Sequence, residues 1–103
     1  MANALTELQD TLKNCNQTVD TIAYALINVQ RSYDHTETLL DTRVSKDLTP
    51  LNIEYDDGYG GQELYGTIVF NDGTWLERGE YDGSEWWAYK NTPTPDTVFN
   101  DQP

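Results

Sequence analysis

Residues 64–90, LYGTIVFNDGTWLERGEYDGSEWWAYK, carry two Asp-Gly pairs between runs rich in β-branched and aromatic side chains. Asp-Gly is a strong hairpin signal, because a two-residue type I′ loop requires positive φ at both central positions. Asp72-Gly73 and Asp82-Gly83 therefore predict a three-stranded antiparallel meander. Two-residue loops set its register: Phe70 opposite Trp75, Val69 opposite Leu76 and Thr67 opposite Arg78, then Gly79 opposite Trp86, Arg78 opposite Trp87 and Leu76 opposite Tyr89. The period of two then puts Ile68, Phe70, Trp75, Tyr81 and Trp86 on one face, and Tyr65, Val69, Leu76, Trp87 and Tyr89 on the other. Both faces are apolar, so one must pack on the rest of the chain and the other needs a second layer or a partner.

The N-terminal third carries a different period. Leu5, Leu8, Leu12, Cys15, Val19, Ile22, Leu26, Val29 and Tyr33 recur at spacings of three and four, with no proline or glycine before Pro50. That is an a/d heptad pattern and predicts a long helix over 3–33, capped by Asn3 or Thr6. Such a helix would be roughly 45 Å long, more than so small a domain covers, and so Leu5, Leu8, Leu12, Cys15, Val19, Ile22, Leu26 and Val29 are expected to form an oligomerisation seam, with a dimer favoured. Purely internal use of the helix is the alternative. Asp34-His-Thr-Glu37 resembles a capping box, and Leu40, Val44 and Leu48 suggest a second short helix at about 35–47. One kinked helix is the rival reading. Leu51, Ile53 and Tyr55 alternate with polar residues and predict a first strand at 51–56, making a four-stranded antiparallel sheet. The fold class expected is α+β: a helical, coiled-coil-like region over 1–49, a sheet module over 50–91 and an extended acidic tail over 92–103.

Charge narrows the partners. The chain of 103 residues has a formal net charge of −12. Residues 1–50 hold seven acids against four bases, while residues 51–103 hold eleven against two, so the acidity belongs to the second half. Such a field repels phosphates and anionic lipid, which argues against direct nucleic acid or membrane binding and favours a basic partner protein. Solubility alone is the competing explanation. The lone Cys15 allows no intrachain disulfide, and MANALTELQD lacks the basic and apolar parts of a signal peptide, so an intracellular, cytoplasmic protein is expected.

Little in the chain points to catalysis. One His (His35) and one Cys cannot build a metal cluster. Asp56-Asp57-Gly58 with Glu63, and Asp72-Gly73 with Glu77, lack the alternating oxygen ligands of a calcium loop, and Asp-Gly at these places serves turns. The expectation is a non-enzymatic chain with no cofactor or metal. The residues expected to meet a partner are Glu77, Glu80, Asp82 and Glu85 on the second hairpin, Trp86 and Trp87 beside them, and Asp56, Asp57 and Tyr59 in the glycine-rich loop. Glu80 should face Glu85; like charges directly opposite destabilise a sheet, and a basic partner would relieve them. Tyr65, Trp75, Trp86, Trp87 and Tyr89 crowd aromatics beside these carboxylates, as binding hot spots and carbohydrate platforms do. Arg78 opposite Trp87 offers a cation–π contact.

The block Gly66–Trp87, GTIVFNDGTWLERGEYDGSEWW, resembles segments of small bacteriophage and prophage proteins. The profile of a small acidic chain with one helical part and one sheet is similar to that of anti-CRISPR and other phage anti-defence proteins. That resemblance implies an inhibitor, acting in the cytoplasm of an infected bacterium, that blocks a defence effector's basic nucleic-acid site by charge mimicry. A virion or accessory structural module, docking a scaffold or a sugar, is the alternative.

Overall fold

The computed structural model describes residues 2–32, 35–55, 62–81 and 84–91. Its main body is a five-stranded antiparallel sheet built from β2 (Ile22–Ser32), β3 (His35–Asp41), β5 (Leu64–Phe70), β6 (Trp75–Tyr81) and β7 (Ser84–Lys90), in the order β3-β2-β5-β6-β7. Two shorter strands, β1 (Ala2–Asn3) and β4 (Glu54–Tyr55), pair with each other. One helix, α1 (Ala4–Asn14), and two single 3-10 turns, Val19–Thr21 and Thr49–Leu51, complete the described elements.

The long heptad helix is overturned. Asn3 caps α1 by accepting from the Thr6 N–H at 3.0 Å, and Ala4, Leu8 and Leu12 point inward at spacings of four. The helix ends where Asn16 adopts φ 57°. The Asn16 N–H then donates to the Lys13 carbonyl at 3.2 Å and the Gln17 N–H to that of Leu12 at 2.8 Å, the paired bonds of a Schellman stop with Asn in place of glycine. Beyond it, Thr18, Val19, Asp20, Thr21 and Ile22 are all poor helix formers. Ile22–Ser32 is an eleven-residue strand in which Ala25, Ile27 and Val29 are buried while Ala23, Tyr24 and Leu26 are exposed. A bulge between Ile22 and Tyr24 keeps Ile22 inward as well. Apolar residues on both faces of this strand, Ile22 and Val29 inward and Leu26 outward, give the spacings of three and four that imitate a heptad.

The second helix is overturned too. His35–Asp41 is the edge strand β3, with Leu39 and Leu40 buried, and Pro50 lies in the 3-10 turn. The sheet therefore has five strands, of which two come from the region expected to be helical, and the predicted strand 51–56 shrinks to Glu54–Tyr55 outside the main sheet. Leu8, Leu12, Ile22 and Val29 are core residues at 5% exposure or less, and Leu5, Cys15 and Val19 pack partly buried against the core. They cannot form a coiled-coil seam; of the eight seam residues only Leu26 is exposed, on the opposite side of the sheet.

The meander exists, with one correction. Val69 pairs with Trp75, Ile68 with Leu76 and Thr67 with Glu77. The Gly73 N–H donates to the Phe70 carbonyl at 3.1 Å, the Phe70 N–H donates to the Thr74 carbonyl at 2.9 Å, and Gly73 has φ 88°. This is a three-residue loop, a type I turn closed by a left-handed glycine, and not the two-residue loop expected. The extra residue slips β5 by one and exchanges its faces relative to β6 and β7. The second hairpin holds the expected register: Gly79 opposite Trp86, Arg78 opposite Trp87, Leu76 opposite Tyr89. Asp82-Gly83 lies outside the described residues, as do Asp34, the 56–61 loop and the 92–103 tail.

One face of the sheet carries the core: Ile22, Ala25, Ile27, Val29, Leu64, Ile68, Phe70 and Leu76 are all buried. Helix α1 and the segment joining β3 to β5, which contributes Leu51 and Tyr55, form the second layer over it. Both halves of the chain share this core, because β2 and β5 pair along their length.

Candidate functional site

Two polar or aromatic assemblies stand out, one inside and one outside. Inside, alternation along β6 carries Arg78 into the core behind Leu76, and its side chain is 1% exposed. Its Nε donates to Glu85 Oε1 at 3.1 Å, one terminal nitrogen to Glu7 Oε1 at 3.1 Å and the other to the Tyr55 hydroxyl at 2.6 Å. The guanidinium lies 5.0 Å from the Trp87 ring centroid and 5.4 Å from that of Tyr55. Tyr55 in turn donates to Glu7. Burial first, and acceptance by Glu7 second, push the Tyr55 hydroxyl well above the usual phenol range. Glu85 also accepts the Glu63 N–H at 2.6 Å and the Leu64 N–H at 3.1 Å. Helix, sheet and the β3–β5 connection are thereby tied through a single cation.

Outside, no described element packs on the other face. Tyr24 and Leu26 on β2, Tyr65 on β5 and Trp86 on β7 are 62%, 41%, 40% and 44% exposed, with Val69 and Trp75 half-buried between them. Tyr24, Leu26, Thr67 and Val69 line a shallow depression of about 410 Å³, bordered by Asn28, Asp41 and Arg43. The charges here are paired. Arg43 donates to Asp41 at 3.0 and 2.7 Å, and these hydrogen bonds hold the Asp41 carboxyl below its usual range. Glu77 accepts from Lys90 at 3.0 Å and from the Trp75 indole at 2.7 Å, in that order lowering its own pKa. The result is an aromatic and aliphatic surface between two ion pairs, in the centre-and-rim arrangement of protein interfaces.

The residues singled out from sequence divide between these places. Glu77 and Trp86 are on the outer face; Glu85 and Trp87 are in the core, 7% and 8% exposed. Glu80 does face Glu85 and is exposed. Their expected repulsion is answered from within, because Glu85 turns to Arg78 and two backbone N–H groups. The cation–π contact of Arg78 with Trp87 is present. Asp82, Asp56, Asp57 and Tyr59 lie outside the described residues. Tyr24 and Asn28 are not singled out by the sequence, and Leu26 is expected there only in a helical seam, since a heptad reading hides their strand; the β-branched run after Thr18 and the Asn-Cys-Asn stop at 14–16 are the available signals. His35 is exposed, 3.5 Å from Glu37, and burial pushes the Cys15 thiol up. Among the described residues no three His, Cys, Asp or Glu side chains are grouped to hold a metal ion, and no helix is long and apolar enough to cross a membrane.

Comparison with protein-family models, with curated proteins and with solved structures returns no match in any of the three.

Proposed function

We propose that this chain is a non-catalytic binding protein that docks through the outer face of its sheet onto a basic, nucleic-acid-holding surface of another protein and blocks it. The observation that carries the reading is the bare face of Tyr24, Leu26, Tyr65 and Trp86 in a chain of net charge −12. Large aromatics at a partly exposed, water-excludable centre supply binding energy, while a strongly negative field steers a basic partner toward it. Four described cations are held within the chain, Arg78 by Glu7 and Glu85, Arg43 by Asp41, Lys90 by Glu77, and Lys46 by the Ile22 carbonyl at 2.6 Å. The anti-defence profile noted above fits the same reading, with the host effector as target. Capture from bacterial lysate on immobilised protein, compared with Leu26→Asp, tests it. Proteins retained by the wild type should lose their grip on duplex DNA when it is added, and Leu26→Asp should retain neither them nor that effect. Retention unchanged by Leu26→Asp, or retained proteins indifferent to DNA, overturns it.

The pairing of Asp41 with Arg43 and of Glu77 with Lys90 favours a second reading, in which a further copy of this chain covers the neutral face. Salt separates the two. Screening strengthens contact between two negative copies and weakens contact with a basic partner.

A further inference from the structure

Trp86 is held differently from the other exposed aromatics. Directly opposite it on β6 is Gly79, and the indole lies over that bare backbone. A Cβ at Gly79 would stand 2.8 Å from Trp86 Cε2 and 2.9 Å from Cζ2 and Nε1, closer than such atoms approach. One π-face is therefore seated on main chain and the ring is fixed in orientation, while the residue remains 44% exposed. Glycine is required here by that close approach, and the indole covers the gap it leaves in the sheet. Glu77 occupies the diagonal position on the same face, opposite Ala88, and is already engaged by Lys90 and the Trp75 indole, so the ring itself is what the platform offers. Indole is the aromatic ring that attracts cations best, and a seated ring loses no rotamer freedom on binding.

We propose that the solvent-facing side of the Trp86 indole, seated on Gly79, is a platform for a cationic head group, a guanidinium or alkylammonium, carried by the basic partner. This deepens the docking reading and rests on it for the partner's charge. The negative field brings the partner close, and the ring anchors one of its side chains. Buried Glu85 makes no contact with the partner.

A hexa-arginine peptide, set against hexa-citrulline of the same shape without the charge, tests this by NMR titration of the full chain. Hexa-arginine should shift the Trp86 indole N–H more than those of Trp75 and Trp87, and move arginine side-chain protons upfield by ring current; hexa-citrulline should do neither. Trp86→Ala should weaken hexa-arginine binding about threefold to fivefold, as an exposed cation–π contact is worth, and Trp86→Phe should recover part of that loss. Gly79→Ala keeps the tryptophan but unseats it, and should weaken binding as Trp86→Ala does; if that variant fails to fold, the Phe and Ala pair at position 86 decides alone. Equal affinity of wild type and Trp86→Ala overturns the platform while leaving the docking reading intact, since the peptide is then held by acidic surface at large. Normal Trp86 shifts together with lysate capture that ignores Leu26→Asp preserve the platform and overturn the docking reading.

Discussion

The two faces of this sheet are made from the same strands, yet they use aromatic and charged residues in opposite ways. On the inner face Trp87 and Tyr55 close over Arg78, and each of the three guanidinium nitrogens donates to a carboxylate or a phenol. On the outer face Trp86 and Tyr24 are left to solvent, and the cations Arg43 and Lys90 lie in surface pairs. Buried ion pairs are costly to break and surface pairs contribute little, so charge holds the inner layer together and adds little to stability on the outer face. Adjacent tryptophans in the sequence thus have unrelated tasks, because a strand sends successive side chains to opposite sides.

Breaking the inner cluster should have the largest effect. Arg78→Met leaves Glu7 and Glu85 without their cation, and urea unfolding should show a loss of about 3–5 kcal/mol. Adding Glu85→Gln removes one stranded charge and should restore part of that stability; a double variant as unstable as Arg78→Met would mean that packing, not charge, sets the cost. A matched pair of leucines gives the next largest difference. Leu76→Ala opens the core and should cost about 2–5 kcal/mol, whereas Leu26→Ala on the outer face should stay within about 0.5 kcal/mol. Equal losses would show that the outer face is covered in solution.

Acid titration sharpens the comparison on its smallest scale. Hydrogen bonds hold Asp41, Asp72 and Glu77 below their usual carboxyl range: from Arg43 to Asp41, chiefly from Thr74 to Asp72, and chiefly from Lys90 to Glu77. A carboxyl whose folded pKa is depressed stabilises the fold above its unfolded pKa and loses that contribution as pH falls through the folded value. The denaturant midpoint should accordingly be flat above about pH 5 and decline below about pH 4. Glu77→Gln should make the decline slightly shallower without moving the plateau measurably.

Much of this molecule was legible in local chemistry. The second hairpin's register follows from its Asp-Gly spacing, α1 starts at an Asn cap, and Arg78 was matched with Trp87 by counting along strands. Local chemistry misled where two periods coincide. Ile22, Leu26 and Val29 satisfy a heptad as well as a strand that is apolar on both faces, and pairing with β5 decides between the two. The loop at Asp72-Gly73 shows the same limit. Two-residue and three-residue loops both use that dipeptide, yet the choice moved Ile68 and Phe70 to the side of Leu76 and left Tyr65 and Val69 beside Trp75.

Composition and turn residues determined that this chain would be strongly acidic, rich in antiparallel hairpins and crowded with aromatics along β6 and β7. Tertiary structure alone decided which of those aromatics became core and which surface, and which cation would be buried. The physical reason is that a strand's alternation specifies two faces but not which one is covered. Only pairing with distant strands and burial beneath α1 and the β3–β5 connection set that choice.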